Sequence, residues 1–270
     1  MKIATIAVAS LLFILPAGKA FSWGQEGHSI VGEIAQRHLD ATAAEKIRKL
    51  FGEDVSLASL SNWADDIKTP RPATYNWHFV DIPLAEQHYA EGRDCKPSSA
   101  GDCVIAEIER ATATLKDTTA TPIDRQEALK FLVHFVGDLH QPLHTVLEGR
   151  GENDLKVTYF IDPYRNKTEK TDLHKVWDSG LIHSVYWNWG TYVDDLETKW
   201  LPGRDVKALQ AGTPVAWAEA THLAAQQVTQ PVHMNDVLGE DYLKMAKPVM
   251  DEQLALAGLR LAAIINEALK

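Results

Sequence analysis

The residues best equipped for chemistry crowd into one stretch. "FLVHFVGDLHQPLH", residues 131–144, carries His134, Asp138, His140 and His144. On a helix, His134 and Asp138 are four residues apart and stand one above the other on the same face. Both types are good zinc ligands. Both also lie among Phe131, Leu132, Val133, Phe135 and Val136, which belong in a core. An isolated pair of this kind is more often a buried hydrogen bond, but three further features favour metal. Pro142 breaks or kinks the helix before His144 and re-aims that histidine. "LHKVWDSG" repeats the His-x-x-x-Asp spacing at His174 and Asp178. "WADDIK" and "WHFVD" add Asp65 and His78, each close to a tryptophan. His140 points away from the His134 face and reads as structural.

Elements that could hold such groups are mainly helical. "HSIVGEIAQRHL", "TAAEKIRKLF", "CVIAEIERATATL", "DRQEALKFLVHFVGDLH" and the final "DYLKMAKPVMDEQLALAGLRLAAIINEALK" carry helical periodicity, with Asp124 and Asp241 suited to N-terminal turns. "LKVTYFI" (155–161) is the one plausible extended piece, half of a hairpin at most. The expected class is all-α, a mainly helical single domain with at most a short β-hairpin, and a bundle of that kind builds sites from side chains projecting inward. Trp187, Trp189, Trp200 and Trp217 read most simply as core or helix-packing residues.

The first 22 residues look different. A basic start, the apolar run "IATIAVASLLFIL" and the small residues of "PAGKAFS" form a secretory signal peptide, too short in its apolar core to remain as an anchor. Cleavage after Ala20 and after Ser22 both fit the pattern. The exported remainder, 23–270, has a length that one domain can fill and shows no linker or repeat. In an oxidising compartment, Cys95 and Cys103 are expected to form a local disulfide. The formal charge of −10 excludes general electrostatic attraction to nucleic acid. Positive charge for a phosphate substrate must then be local, and metal ions are the obvious source. A soluble extracytoplasmic monomer with no stable membrane association is the expectation.

Several sparse motifs recur together in a known order. They are Trp-Gly-x-x-Gly-His at 23–28, Trp-Ala-Asp at 63–65, His-Phe-Val-Asp at 78–81, His-x-x-x-Asp-x-His-Gln-Pro-Leu-His at 134–144, Asn-Asp at 153–154 and His-x-x-Trp-Asp at 174–178. The set resembles the tri-zinc, single-strand-specific nucleases and 3′-nucleotidases, whose all-α fold is shared with zinc-dependent phospholipase C. The resemblance implies three zinc ions. Asp65, His78, His134 and Asp138 would hold the first. Trp23, through its α-amino group and carbonyl, would join His28 and a bridging Asp138 at the second. His144, His174 and Asp178 would hold the third. An amine ligand requires a processed Trp23, which selects cleavage after Ser22 and secretion or periplasmic export.

The resemblance also implies in-line attack on phosphorus by a water acidified between the paired ions, with the third ion stabilising the departing O3′. Single-stranded DNA, RNA and 3′-nucleotides would be substrates, and polynucleotides would yield 5′-phosphates. Lys68 takes the position of a basic residue near the phosphate, Asn153 and Asp154 that of an Asn-Asp pair orienting groups at the site, and Phe79 and Asp81 that of a base pocket. Stacking on an aromatic ring tolerates any base but demands an unstacked one.

Two departures stand out. "GEND" places Glu152 where the family commonly has a second glycine, and the segment between Asn153 and His174 is long, with a glycosylation sequon at Asn166. The nearest alternative is a zinc-dependent phospholipase C, whose last ligand is typically glutamate where this chain has Asp178. A non-catalytic zinc-binding protein is less favoured, because closed structural sites use four protein ligands and the third site here has three.

Overall fold

The computed structural model describes residues 23–162 and 167–270. The leader at 1–22, its cleavage point and Asn166 lie outside the described residues. The helices that build or support the site are α1 (Gln25–Arg37), α2 (Ala41–Phe51), α3 (Trp63–Ile67), α4 (Val104–Lys116), α5 (Pro122–Leu139), α6 (Pro214–Thr229) and α7 (Glu240–Ala268). Side-chain caps fix several starts. Asp40 accepts from the Ala43 amide, Thr121 from Asp124 and Thr213 from Ala216. Each such cap contributes about 1 kcal/mol. Pro122 and Pro214 fill first-turn positions where a missing N–H costs nothing.

Helix α5 is the centre of the molecule. Apart from Lys130, every residue from Ala128 to Leu139 is buried, because α4, α1 and α7 pack around it. Their apolar faces join one continuous core. Helices α1 and α7 touch at Gly258, where a Cβ would lie 2.5 Å from the Ile34 Cβ, so only glycine permits this approach. The close packing fixes α1, and with it His28, against the His134 side of α5.

Three short segments carry the remaining site residues. A 3₁₀ turn at Pro72–His78 delivers His78, and another at Pro142–Thr145 follows the end of α5 and delivers His144. A helical turn at Leu173–Lys175 runs into a wider π turn at Val176–Gly180, bringing in His174 and Asp178. Just before them, β1 (Lys156–Asp162) and β2 (Lys167–Asp172) form an antiparallel hairpin with Lys156 opposite Asp172. The fold is mainly helical and the hairpin is present. A further two-residue strand, β3 (Val237–Leu238), adds in parallel to the other edge of β1, giving the order β2-β1-β3.

Cys95 and Cys103 are joined in a disulfide. Trp217 is buried, and Trp189 and Trp200 pack partly against the core. Trp187 departs from expectation, being 99% exposed. It sits between the end of one helical turn at Tyr186 and the capping Asn188 of the next, where the backbone is held locally and the indole projects outward. No helix among the described residues is long and apolar enough to cross a membrane.

Candidate metal centre

Most of the side chains singled out from sequence converge: His28 from α1, Asp65 from α3, and His134 and Asp138 from α5 meet His78 and His144. His134 Nε2 lies 3.0 Å from His78 Nδ1 and 3.1 Å from Asp138 Oδ2. His78 Nδ1 is 2.9 Å from the same Asp138 oxygen. Asp65 Oδ1 closes the group at 3.6 Å from both imidazole nitrogens. The other oxygen of Asp138, Oδ1, faces elsewhere, 3.5 Å from His28 Nε2 and 3.4 Å from His144 Nδ1. His28, Asp65 and His134 also offer ligand atoms within 4.8 Å of one another. One carboxylate therefore stands between two sets of imidazoles.

A third cluster lies alongside. His144, His174 and Asp178 present ligand atoms within 4.8 Å of one another. His174 Nε2 is 3.5 Å from Asp178 Oδ2, and His144 Nε2 is 3.8 Å from Asp178 Oδ1. The two imidazoles stack with centroids 5.0 Å apart.

Backbone carbonyls set the tautomers. Nδ1–H of His134 donates to the Ser61 carbonyl at 2.6 Å, that of His144 to His78 at 2.8 Å and that of His174 to Gly151 at 2.5 Å. In each ring Nε2 is left with its lone pair toward the centre, as metal ligation requires. The carbonyl that orients His174 comes from an unusual turn. Gly149, Arg150, Gly151 and Glu152 have φ of 53, 58, 66 and 61°, four consecutive residues in the left-handed region.

Electrostatics favour a cation. Burial, reinforced by the neighbouring imidazoles and Lys68, drives the pKa values of His28 and His78 well below the ordinary histidine value. Burial and then His174 do the same to His144, and burial lowers His174. These rings are neutral and fit to bind metal. Burial raises Asp138 and pushes Asp178 well above the usual carboxylate range. For His134, burial opposes protonation, but the Asp138 and Asp65 carboxylates outweigh it and raise the pKa. Asp138 Oδ1 is buried without a hydrogen-bond donor among the described residues. Buried carboxylates and neutral imidazoles in this arrangement fit divalent cations of the zinc type, which would supply the missing positive charge.

The other expected residues fall at different distances from this centre. Trp23 is fully buried, and the Gly24 amide donates to the Asp178 carbonyl at 2.6 Å, so the start of α1 is strapped to the third cluster. Lys68 Nζ lies 2.6 Å from Asp65 Oδ1. After His78 the chain is extended, so His78 and Val80 face inward while Phe79 and Asp81 are half-buried at the rim. Phe79 meets the exposed Tyr75 edge-on at 6.0 Å. The Asp81 carboxyl is pushed up to about 6 by burial and the nearby Asp94. Asn153 and Asp154 are not brought into the three clusters. Asn153 Nδ2 donates to the Arg150 carbonyl, and the Asp154 carboxylate pairs with Arg150 at 2.6 Å, both closing the left-handed turn.

His140 donates from Nδ1 to Val136 and accepts from Arg260 at Nε2, away from the clusters. Gln141, to which sequence reasoning gave no role, is fully buried and donates from Nε2 to Asp178 Oδ1 at 2.6 Å. Its place inside the histidine-rich motif was the available signal.

Known proteins resemble this chain along almost its whole length. The family model described as S1/P1 nuclease matches residues 23–270. Endonuclease 2 of Arabidopsis thaliana is 32% identical over 96% of this chain and 94% of its own length. Nuclease S1 of Aspergillus oryzae is 30% identical over 97% of this chain and 94% of its own length. Nuclease P1 of Penicillium citrinum is 30% identical, covering 91% of this chain and 97% of its own length.

Proposed function

We propose, from the premise that the chain belongs to the S1/P1 nuclease family, that it is an exported three-zinc enzyme specific for single strands. It cleaves DNA and RNA to 5′-phosphorylated products and removes phosphate from 3′-nucleotides. That the protein is an enzyme hydrolysing phosphodiester bonds follows from the family itself. The observation that carries the finer reading is Asp138, whose two oxygens face separate sets of imidazoles beside a third His-His-Asp cluster.

Asp65, His78, His134 and Asp138 would hold one ion, Asp138 with His28 and the processed Trp23 a second, and His144, His174 and Asp178 a third. When bound, zinc supplies Lewis acidity to phosphoryl oxygens and acidifies a water nucleophile near neutral pH. The chain's own groups do the positioning. Lys68, held at Asp65, directs positive charge toward the scissile phosphate. Phe79 offers a ring face for an unstacked base, and the Asp81 carboxylate accepts hydrogen bonds from its edge. A duplex, whose bases are already stacked, cannot use this platform. Cleavage after Ser22 would free the Trp23 amine for ligation. An amine ligand must be unprotonated, so metal loading is expected to weaken in acid.

The test is a parallel assay of the zinc-loaded enzyme, begun at Trp23, on single-stranded DNA, RNA, duplex DNA, a 3′-nucleotide and phosphatidylcholine. The expected result is cleavage of both single strands with 5′-phosphate ends, phosphate release from the 3′-nucleotide, and little action on duplex or lipid. Hydrolysis of phosphatidylcholine with none of nucleic acid would overturn the proposal.

A further inference from the structure

We propose that Gln141 is a positioning residue for the third metal site, holding Asp178 so that one chosen oxygen faces the ion. The inference rests on the three-ion reading above and adds to it a residue outside the ligand set.

Gln141 lies where the ligands' supports meet. Its backbone amide donates to the Asp138 carbonyl at 3.0 Å, and its carbonyl accepts from the His144 amide at 3.0 Å. Its side chain is fully buried, and both ends of the amide are used. Oε1 accepts from the Leu143 amide at 2.6 Å, which identifies that atom as oxygen. The other end must then be the NH₂ group, and it donates to Asp178 Oδ1 at 2.6 Å. Asp178 Oδ2, the oxygen not held by the amide, is thereby turned toward His174 Nε2, 3.5 Å away, while the held Oδ1 stays farther, 3.8 Å, from His144 Nε2.

A buried carboxylate flanked only by imidazoles could rotate about its terminal torsion and present either oxygen. The amide removes that freedom before any ion arrives. The donor is neutral, so it orients Asp178 without competing with the ion for it as an arginine would. Outer partners of this kind typically account for about 10–100-fold in metal affinity.

Gln141 also caps the turn through Leu143, and two variants separate that role from positioning. Gln141→Glu keeps an oxygen for the Leu143 amide and, once ionised, offers Asp178 no donor. Because a carboxyl buried beside Asp178 has a raised pKa, its zinc affinity is followed from pH 7 to 9 and compared with wild type at the pH where it is ionised. Gln141→Met loses both contacts. Zinc-loaded wild type and variants would be dialysed against buffered free zinc, with zinc per chain measured and the fold followed by circular dichroism. In both variants one ion should bind about 10–100-fold more weakly, while the other two keep wild-type affinity. Gln141→Glu retaining all three at wild-type affinity would overturn the proposal, even if Gln141→Met lost one, because the role would then be the turn alone. Wild type binding fewer than three ions would overturn the three-ion reading and this proposal together, a distinguishable failure.

Discussion

Glu152→Gly should make the protein more stable, although it removes a side chain and contributes a glycine. Glu152 sits at φ 61°, the last of four left-handed residues in the turn that starts at Gly149. For an L-residue that conformation costs roughly 1–2 kcal/mol. Glycine relieves the cost but gives the unfolded chain more freedom, which takes back about 0.4–1 kcal/mol. The carboxylate itself is poorly placed, since burial and then Glu148 and Asp154 raise its pKa. Removing it adds to the gain. The net expectation is a stabilisation of about 0.5–1 kcal/mol, or a Tm higher by roughly 1–4 °C for a domain of this size. Unfolding must be followed at one fixed free-zinc concentration, because bound ligand shifts Tm by mass action. Arg150→Gly relieves the same kind of strain at φ 58°, but it also loses the 2.6 Å pairing with Asp154, so its gain should be smaller. A Tm for Glu152→Gly equal to or below wild type would refute the reasoning.

Other perturbations test other parts of the site. On the proposed reading Phe79→Ala should raise KM on single-stranded DNA about 5- to 150-fold, since stacking is worth roughly 1–3 kcal/mol per base; Phe79→Tyr should remain close to wild type. Burial and Asp94 push the Asp81 carboxyl up to about 6, so as pH falls through that value one of its two acceptor oxygens becomes a donor. On the proposed reading KM for the preferred base should rise there, a pH dependence that Asp81→Asn should remove. Its effect on folding has the opposite sign, because a raised pKa favours the fold below 3.8 and that contribution fades as pH rises through about 6. Gly151→Ala would place a Cβ 2.6 Å from the Leu143 carbonyl and 3.1 Å from His174 Nδ1 at φ +66°. It should destabilise the protein by about 1–3 kcal/mol and weaken the third ion, as unfolding and zinc titration would report.

The sequence was most informative where physics is local. Helices α1, α2, α4, α5 and α7 follow from apolar periodicity, and the His134–Asp138 spacing places both residues on one face of α5. The Asp138–His28 approach and the three clusters depend on chain segments distant in sequence. They were accessible through the order of the motifs, not through spacing alone. Helix α6 was not singled out, although Thr213 and Pro214 form a legible start. Strand β3 is two residues long and pairs with β1 nearly eighty residues away, so no local pattern could announce it. The residue type of Trp187 points to the core or a helix-packing face, but its environment is set by short flanking caps that leave it exposed. The left-handed turn and the Gln141–Asp178 hydrogen bond are geometric features with no periodic signature, and each holds a member of the third cluster in place without belonging to it.

The most direct measurement is anomalous diffraction at the zinc edge from crystals of the purified enzyme. The expected map has three peaks. One lies among Asp65, His78, His134 and Asp138, one between Asp138, His28 and the amine of a chain that begins at Trp23, and one among His144, His174 and Asp178, each about 2.0–2.2 Å from its ligands. Peaks missing from these clusters, or a chain that begins elsewhere with all three ions bound, would contradict the account.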